Sequence, residues 1–400
     1  NTEMWLFAAV LCFAYGSLNA QELLHSEHPV DPEVWMNVSE IITYCGYPSE
    51  EYDVVTEDGY ILNVNRIPHG QRPPERKGPR PVVYLQHAMF TDNASWLLNQ
   101  PNKSLGFLLA DAGYDVWMGN SRGNTWSRRH KTLSVEQEEY WAFSFDEMGR
   151  YDLPSVINFI VKKTGQEKLY FIGHSQGTTI GFVAFSTLPE VAQRIKMNFF
   201  LGPVASFKYP KSIFSSFFLL PQSVIKALLG KKGFLLEDIK RKTTALKLCN
   251  GKISSWICTD FLSLWAGRDN KNLNVSRTPI YLSRSPTGTS IQNMLHFKQL
   301  FRSDEFRAYD WGNEAENVRH YNQSIPPLYD LTTMKMPTAI WAGGQDLLAD
   351  PLDVAMLLPK IKNLRFFELL PDWNHVDFIW AIDAPQRVYS KILSLMEQNP

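Results

Sequence analysis

Short apolar runs alternate with helical patterns over the first half of the chain and again near its end. These runs are Val82–Leu85, Val116–Met118, Leu169–Ile172 and Thr338–Trp341. Runs this short and apolar are typical of strands buried on both faces, so the pattern predicts an α/β protein with a mostly parallel sheet flanked by helices. Upstream, two alternating segments flank the turn pair Asp58-Gly59, which predicts an antiparallel hairpin.

The rhythm of strands and helices breaks after about Pro203. Residues 205–331 carry few strand signals, and their aromatic and aliphatic clusters alternate with basic residues. We therefore predict a mainly helical insertion, a cap or lid, over 205–331. The sheet resumes at Pro337, which divides the rest into a first core part, 21–204, and a second core part, 332–400.

The N-terminal segment from Met4 to Leu18 is apolar and too short to span a bilayer, which takes about 20 residues. Small residues follow it, so residues 1–20 are predicted to be a signal peptide cleaved after Ala20, with Gly16 as an alternative. Glu3 is unusual there, since a basic residue is common at that place. No later stretch is predicted to cross a membrane, so we expect a secreted protein, with the lysosome as an alternative destination.

Secretion agrees with the cysteines and the glycosylation motifs. Cys249 and Cys258 lie close together and could close a small disulfide loop, which would leave Cys45 as a lone thiol, most simply a small buried hydrophobe. Five Asn-x-Ser motifs are candidate glycosylation sites: Asn37, Asn93, Asn102, Asn274 and Asn322.

The charge balance narrows the classes of partner. The chain has 40 Lys and Arg residues against 41 Asp and Glu residues, which argues against a nucleic-acid partner. Since no Cys/His cluster has ligand spacing, we expect no metal and no cofactor. Aromatic residues make up 13% of the chain, and they can serve core packing or line an apolar ligand site.

The pattern Gly-x-Ser-x-Gly, which forms the nucleophile elbow of α/β hydrolases, occurs twice: at Gly119–Gly123 and at Gly173–Gly177. Context separates the two. Ser175 follows a predicted strand and precedes an apolar helical pattern, whereas Ser121 is followed by a polar stretch. Ser175 is therefore the predicted nucleophile, and Ser121 is expected to be structural, in a loop beside the site.

A serine nucleophile needs a base and an acid, which follow it in the order Ser, Asp or Glu, His in this fold. Of nine histidines, only His375 lies beyond the late strand, so it is the predicted base. Asp346 follows that strand after a glycine turn and is the favoured acid. Asp350 and Asp377 are kept as alternatives, more simply read as surface or capping carboxylates.

Acyl transfer also needs hydrogen-bond donors for the developing oxyanion. One is the backbone N–H of the residue after the nucleophile, Gln176. The second comes from the loop after the third strand, where the N–H of Met89 is the candidate. His87 in that loop lies too early in the chain to be the base, and a structural role is expected.

With these residues placed, the chain resembles the mammalian acid lipases, which include gastric lipase and lysosomal acid lipase. The matching segments run from about Asp31 to the end and include Thr56–Leu62, Leu109–Trp117, Gly119–Arg128, Gly173–Thr179, Asp310–Gly312 and His375–Trp380. The resemblance implies an α/β-hydrolase fold with a mobile lid and hydrolysis of triacylglycerols or cholesteryl esters by an acid-stable enzyme, acting at a lipid–water interface. It also places the triad on Ser175, Asp346 and His375 and a disulfide on Cys249–Cys258.

Two further expectations depend on this resemblance. The apolar run 214–229 would lie in the cap, where it could meet a lipid surface or an acyl chain, or simply pack in the core. The family usually has His-Gly where this chain has His87-Ala88. If that position has a positive φ, a Cβ costs on the order of 1 kcal/mol and tilts the Met89 N–H.

Three functions from different classes follow. The leading one is a monomeric serine lipase or esterase that forms an acyl-enzyme on Ser175. The second is a lipid-binding protein of the same fold whose catalysis is weakened by Ala88. The third is another reaction of the fold, such as peptide or thioester hydrolysis, which the triad alone does not exclude.

Overall fold

The computed structural model describes residues 31–72, 78–237, 239, 242–243, 246, 249, 258–260, 262, 265–267 and 272–400. The predicted signal peptide, residues 1–20, lies outside the described residues. The strands are β1 (Glu50–Val55), β2 (Tyr60–Ile67), β3 (Val82–Gln86), β4 (Asp115–Gly119), β5 (Arg129–His130), β6 (Leu169–His174), β7 (Ile195–Leu201), β8 (Gly233–Phe234), β9 (Thr289–Ser290), β10 (Thr338–Gly343) and β11 (Leu364–Leu370).

The α-helices are α1 (Val38–Tyr44), α2 (Leu105–Asp111), α3 (Phe145–Glu147), α4 (Leu153–Thr164), α5 (Gln176–Thr187), α6 (Pro189–Ala192), α7 (Gln222–Leu229), α8 (Thr278–Ser283), α9 (Ile291–Leu300), α10 (Glu314–Tyr321), α11 (Pro351–Leu357), α12 (Asp377–Trp380) and α13 (Ser390–Gln398). Short 3₁₀ turns lie at Pro32–Val34, Asn93–Trp96, Pro101–Lys103, Glu139–Trp141, Ile213–Leu219, Val275–Arg277, Leu331–Thr333 and Leu358–Lys360, and π turns at Met148–Asp152 and Pro385–Tyr389. Within the described residues, no helix has both the length and the apolar character to cross a bilayer.

One large sheet organises the described part of the chain. Its strand order is β1-β2-β4-β3-β6-β7-β10-β11, and β5 pairs with β2. The hairpin of β1 and β2 is antiparallel, as is the β2–β4 pair, whereas every pair from β4 to β11 along the order is parallel. Strands β3, β4, β6 and β10 are buried along their whole length, as their apolar runs predict.

Strand register places the carboxyl ends of the parallel strands at one edge. Gln86 pairs with Gly173, His174 pairs with Leu201, and Gly343 pairs with Leu370. The loops that follow β3, β6, β10 and β11 therefore leave the sheet side by side. In open α/β sheets this edge is where ligands bind.

The stretch 205–331 contains mostly helices and turns among its described residues, with β8 and β9 forming a separate two-stranded ribbon. Among the described residues, the chain that leaves the large sheet after β7 rejoins it at β10. The domain boundaries at 204/205 and 331/332 remain our proposal. Cys249 and Cys258 form a disulfide in this stretch, with 5.9 Å between their Cα atoms. Cys45 is half-buried, and burial raises the pKa of its thiol to about 11.

The predicted glycosylation motifs differ in exposure. Four of the asparagines are at least partly exposed: Asn37, Asn102, Asn274 and Asn322. Asn93, by contrast, is 0% exposed, and its Nδ2 donates to Asn65 Oδ1 at 2.8 Å and to the Met118 carbonyl at 3.1 Å. Because a glycan must be attached to that nitrogen, the prediction at Asn93 does not fit this fold and is withdrawn.

Candidate active site

Ser175 occupies the sharp turn between β6 and α5. Its φ and ψ are 54° and −122°, a strained backbone for a residue with a side chain, and its N–H donates to the Leu201 carbonyl at 3.0 Å. The turn also brings the start of α5 close to the end of β3. A Cβ at Gly177 would lie only 2.3 Å from the Gln86 carbonyl oxygen. This geometry explains why glycine is needed two residues after the serine, and it is that of a nucleophile elbow.

His375 and Asp346 form a buried pair at the same edge of the sheet. The distance from His375 Nδ1 to Asp346 Oδ2 is 2.7 Å. The other carboxylate oxygen, Oδ1, accepts from the backbone N–H groups of Leu348 and Ala349, both at 2.8 Å. These two bonds fix the carboxylate, so that Oδ2 faces the imidazole. Gly202 has a positive φ, and a Cβ there would make a tight contact of 3.3 Å with His375 Nδ1.

The backbone of His375 is held from both sides. The Nε2–H of His174 donates to the His375 carbonyl at 2.8 Å, and the two ring centroids are 4.9 Å apart. On the other side, the His375 N–H donates to the Ala266 carbonyl at 3.1 Å. The pKa of His174 lies well below its usual value, mainly because the ring is buried and also because His375 is close to it. This ring therefore stays neutral. Sequence reasoning did not identify His174, although it directly precedes the predicted nucleophile.

The loop after β3 presents Met89 to the site. The Ala88 carbonyl accepts from His87 Nδ1–H at 2.7 Å and from Thr91 Oγ1 at 3.0 Å. In a planar trans peptide the C=O and the next N–H point in opposite directions, so these bonds also fix the direction of the Met89 N–H. The residues with positive φ include Phe90 but not Ala88. The condition under which a Cβ at position 88 would strain the backbone, a positive φ, is therefore not met.

His87 and Ser121 belong to the support of this loop. The backbone N–H of Ser121 donates to His87 Nε2 at 3.0 Å, and the Ser121 hydroxyl accepts from Gln86 Nε2 at 3.1 Å. Ser121 is buried and its φ is not positive. Burial lowers the pKa of His87 to about 4. The second Gly-x-Ser-x-Gly segment is thus built differently from the elbow at Ser175.

The two alternative acids are engaged elsewhere. Asp350 caps α11 by accepting from the Leu352 N–H at 2.9 Å, and its other oxygen lies 2.7 Å from Lys211 Nζ. Asp377 accepts from the Asn374 N–H at 2.6 Å. Of the three carboxylates, the structure places Asp346 against the His375 ring.

A cavity of about 320 Å³ opens at this edge of the sheet. Ser175, Gln176, Met89 and His375 all line it. Most of its remaining wall is apolar and comes largely from 205–331, with Phe207, Phe214, Leu262, Trp265 and Phe297 among the lining residues. A serine, an imidazole–carboxylate pair and the residues Met89 and Gln176 thus lie around one largely apolar chamber, and such a set is suited to acyl transfer.

Comparison with known proteins agrees with this chemistry. The family model described as "alpha/beta hydrolase fold" matches residues 81–382, and a model described as "partial alpha/beta-hydrolase lipase region" matches residues 38–100. The chain belongs to the acid lipase family of α/β hydrolases. The family resemblance and the fold class predicted from the sequence are thereby confirmed.

Three relatives of this acid lipase span almost its whole length. Lipase member N from Homo sapiens is 68% identical, covering 98% of this chain and 99% of its own. Lysosomal acid lipase/cholesteryl ester hydrolase from Homo sapiens is 54% identical, covering 99% of each chain. Gastric triacylglycerol lipase from Homo sapiens is 51% identical, covering 99% of this chain and 100% of its own. This acid lipase is accordingly a lipid ester hydrolase.

Proposed function

We propose that Ser175 is the nucleophile of a lipase that forms an acyl-enzyme, with His375 as general base and Asp346 as the group that orients it. The Asp346–His375 pair beside the strained elbow is the observation that carries this proposal. The backbone N–H groups of Gln176 and Met89 are the proposed oxyanion donors. A metal or cofactor is not part of the proposal.

The proposed reaction has two halves. Ser175 Oγ attacks the ester carbonyl carbon while its proton passes to His375 Nε2, and the carbonyl oxygen, now negative, accepts from the Gln176 and Met89 N–H groups. The C–O bond to the alcohol breaks, and the proton moves from His375 to the leaving oxygen. Water then repeats the attack on the acyl-serine, which releases the fatty acid and restores Ser175.

For the substrate we infer triacylglycerol first and cholesteryl ester second. The apolar wall of the cavity suits an acyl chain, which gains roughly 0.8 kcal/mol for each CH₂ removed from water. The names of the gastric and lysosomal relatives refer to these two ester classes. Peptide hydrolysis is disfavoured, because a chamber with so few polar groups offers little to pair with a peptide backbone.

The rival, a lipid-binding protein with weakened catalysis, was motivated by Ala88. Its premise was a positive φ at that position, and the backbone there does not have one. The loop also keeps two hydrogen bonds on the Ala88 carbonyl, which fix the direction of the Met89 N–H. We therefore expect a competent oxyanion hole.

The decisive experiment compares Ser175→Ala with Ser121→Ala, because both serines lie in the same five-residue pattern. Purified variants are assayed with triolein, a short-chain triglyceride and cholesteryl oleate, each at acidic and neutral pH. We expect Ser175→Ala to lose ester hydrolysis and labelling by a fluorophosphonate, and Ser121→Ala to keep both. Unchanged hydrolysis by Ser175→Ala would overturn the mechanism, and rapid labelling of the native protein would count against the lipid-binding rival.

We further propose that the protein enters the secretory route as a monomer and is glycosylated at some of Asn37, Asn102, Asn274 and Asn322. The support is the N-terminal apolar segment, the disulfide and the exposure of these four asparagines. Mass spectrometry of the expressed protein before and after enzymatic deglycosylation checks each site, fractionation of cells and medium separates the extracellular and lysosomal destinations, and light scattering measures the oligomeric state.

A further inference from the structure

Asn293 is a fully buried asparagine in the first turn of α9, within the stretch that separates β7 from β10. The turn is well anchored on the core. Ser290 caps α9 by accepting from the Asn293 N–H at 2.9 Å, and the Ser290 hydroxyl donates to the Phe143 carbonyl. The carboxamide of Asn293 is consequently held at a defined place next to α5.

That carboxamide reaches the side chains of both proposed oxyanion donors. Its Nδ2 donates to Gln176 Oε1 at 2.7 Å and to Thr289 Oγ1 at 3.0 Å, and it lies 3.6 Å from Met89 Sδ. Its Oδ1 accepts from the Phe145 N–H at 2.9 Å. Gln176 is the first residue of α5 and Met89 lies in the loop after β3, so one side chain outside both segments contacts both.

From these contacts we infer that Asn293 is a positioning residue for the oxyanion hole. Gln176 and Met89 are proposed to stabilise the oxyanion through backbone N–H groups, which must lie about 2.7–3.1 Å from it. Holding both side chains restricts the two backbones to that geometry. A displacement of about 1 Å can cost on the order of 10²-fold in rate. The inference rests on the proposed acyl-transfer function.

The helix has a second anchor that does not involve Asn293. One turn further along α9, the His296 ring stacks on Phe145 with 3.8 Å between centroids, and its Nδ1 is 2.9 Å from Ser144 Oγ. Neither contact uses the Asn293 side chain, although Asn293 Oδ1 also accepts from the Phe145 N–H, and we expect both to remain when Asn293 is replaced. A variant at 293 should therefore keep α9 in place while releasing Gln176 and Met89.

The test is Asn293→Ala, assayed by steady-state kinetics on a soluble short-chain ester. We expect kcat to fall roughly 10- to 100-fold, less than the loss of one whole oxyanion donor, with KM within threefold of the native value. The matched control is Asn317→Ala. Asn317 is also buried, in α10, and its Nδ2 donates to Asp310 Oδ1 and the Ser324 carbonyl, away from the cavity. It should lower Tm and leave kcat within twofold.

A second variant breaks the Asn293–Gln176 hydrogen bond by changing the acceptor, Gln176. Gln176→Met removes the Oε1 acceptor, keeps the backbone N–H and leaves Asn293 intact, so kcat should fall in the same way even if Asn293→Ala does not fold. In the double variant we expect kcat within threefold of the slower single variant, because the hydrogen bond between Asn293 and Gln176, which both changes break, can be lost only once. Additive losses, or a normal kcat in Asn293→Ala, would overturn the inference.

Failure of the inference is distinct from failure of the proposed function. If Ser175→Ala is inactive but Asn293→Ala turns over normally, only the positioning role is wrong. If Ser175→Ala remains active, the acyl-enzyme mechanism is wrong. A low kcat in Asn293→Ala would then have a cause other than a displaced oxyanion hole. A change confined to KM would assign Asn293 to substrate binding and would also overturn the inference.

Discussion

Replacing Asp346 with asparagine exchanges one buried carboxylate oxygen for an amino group beside His375. The structure decides which oxygen is exchanged. Oδ1 accepts from two backbone N–H groups at 2.8 Å, so the amide oxygen must keep that place and the NH₂ must take the place of Oδ2. The NH₂ would then face His375 Nδ1 from 2.7 Å, where only an acceptor can be opposite it.

We expect the His375 imidazole to change to the other neutral tautomer. Nδ1 loses its proton to accept from the amide, and Nε2 carries the proton instead, so Nε2 cannot take the proton of Ser175. The corresponding change in a serine protease lowers kcat by about 10⁴, which corresponds to roughly 5 kcal/mol of lost transition-state stabilisation. Stability should change much less, by about 2 kcal/mol or under, since a neutral hydrogen bond replaces a charge-assisted one.

The assay is kcat for a soluble short-chain ester, accompanied by thermal unfolding to establish that the variant is folded. Asp350→Asn is the matched control, because it makes the same chemical change in the alternative acid, which caps α11 instead of contacting His375. We expect Asp350→Asn to keep kcat within threefold. The reasoning is refuted if Asp346→Asn keeps more than a tenth of the native kcat, or if Asp350→Asn shows the large loss of kcat instead.

Three further changes test other parts of the molecule. Ala88→Gly should leave kcat within about threefold, because Ala88 is not in the positive-φ region, and a large gain in kcat would show that the Cβ weakens the oxyanion hole. Gly177→Ala should lower activity at least 100-fold and stability by about 1–3 kcal/mol, since its Cβ would lie 2.3 Å from the Gln86 carbonyl, and kinetics with thermal unfolding check both. Burial raises the pKa of Asp146 from 3.8 to about 6, so the folded protein keeps a proton that the unfolded chain has released between these pH values. Burial also raises the pKa of the adjacent Glu147, so the two carboxyls titrate together. The unfolding free energy therefore falls as the pH rises from 4 to 6, and Asp146→Asn should make this slope shallower in denaturant unfolding measured against pH.

Much of the sheet could be predicted from the sequence because its central strands are buried on both faces. The four apolar runs became β3, β4, β6 and β10, and the Asp58-Gly59 turn joins β1 to β2. Strand β7 was missed. Lys196 and Asn198 interrupt its apolar pattern, yet it lies between β6 and β10 in the sheet. When polar residues interrupt the apolar pattern of a strand, the local sequence does not predict the strand, because contacts with neighbouring strands stabilise it.

The predicted site residues share a simple physical basis. Each follows the carboxyl end of a parallel strand, and parallel strands in register bring those ends together. Chain order was therefore enough to nominate Asp346 and His375, although their 2.7 Å contact needed the structure. The burial of Asn93 could not be foreseen, because an Asn-x-Ser motif carries no information about which polar groups surround it.

Asn293 had no local signal at all, since its partner Gln176 lies 117 residues away. Its contact fits a broader arrangement in which the stretch between β7 and β10 does more than cover the cavity. Ala266, from the same stretch, accepts from the His375 N–H at 3.1 Å, and a Cβ at Gly267 would lie 2.0 Å from the Gln345 carbonyl, so this segment fits tightly between the loops of the acid and the base. One part of the stretch thus contacts the proposed acid and base, and another contacts the proposed oxyanion donors. A core that lacked this stretch would retain the proposed reacting groups, Ser175, Asp346 and His375, but would lose these contacts. We therefore expect the insertion to be required for turnover as well as for the fit of the acyl chain.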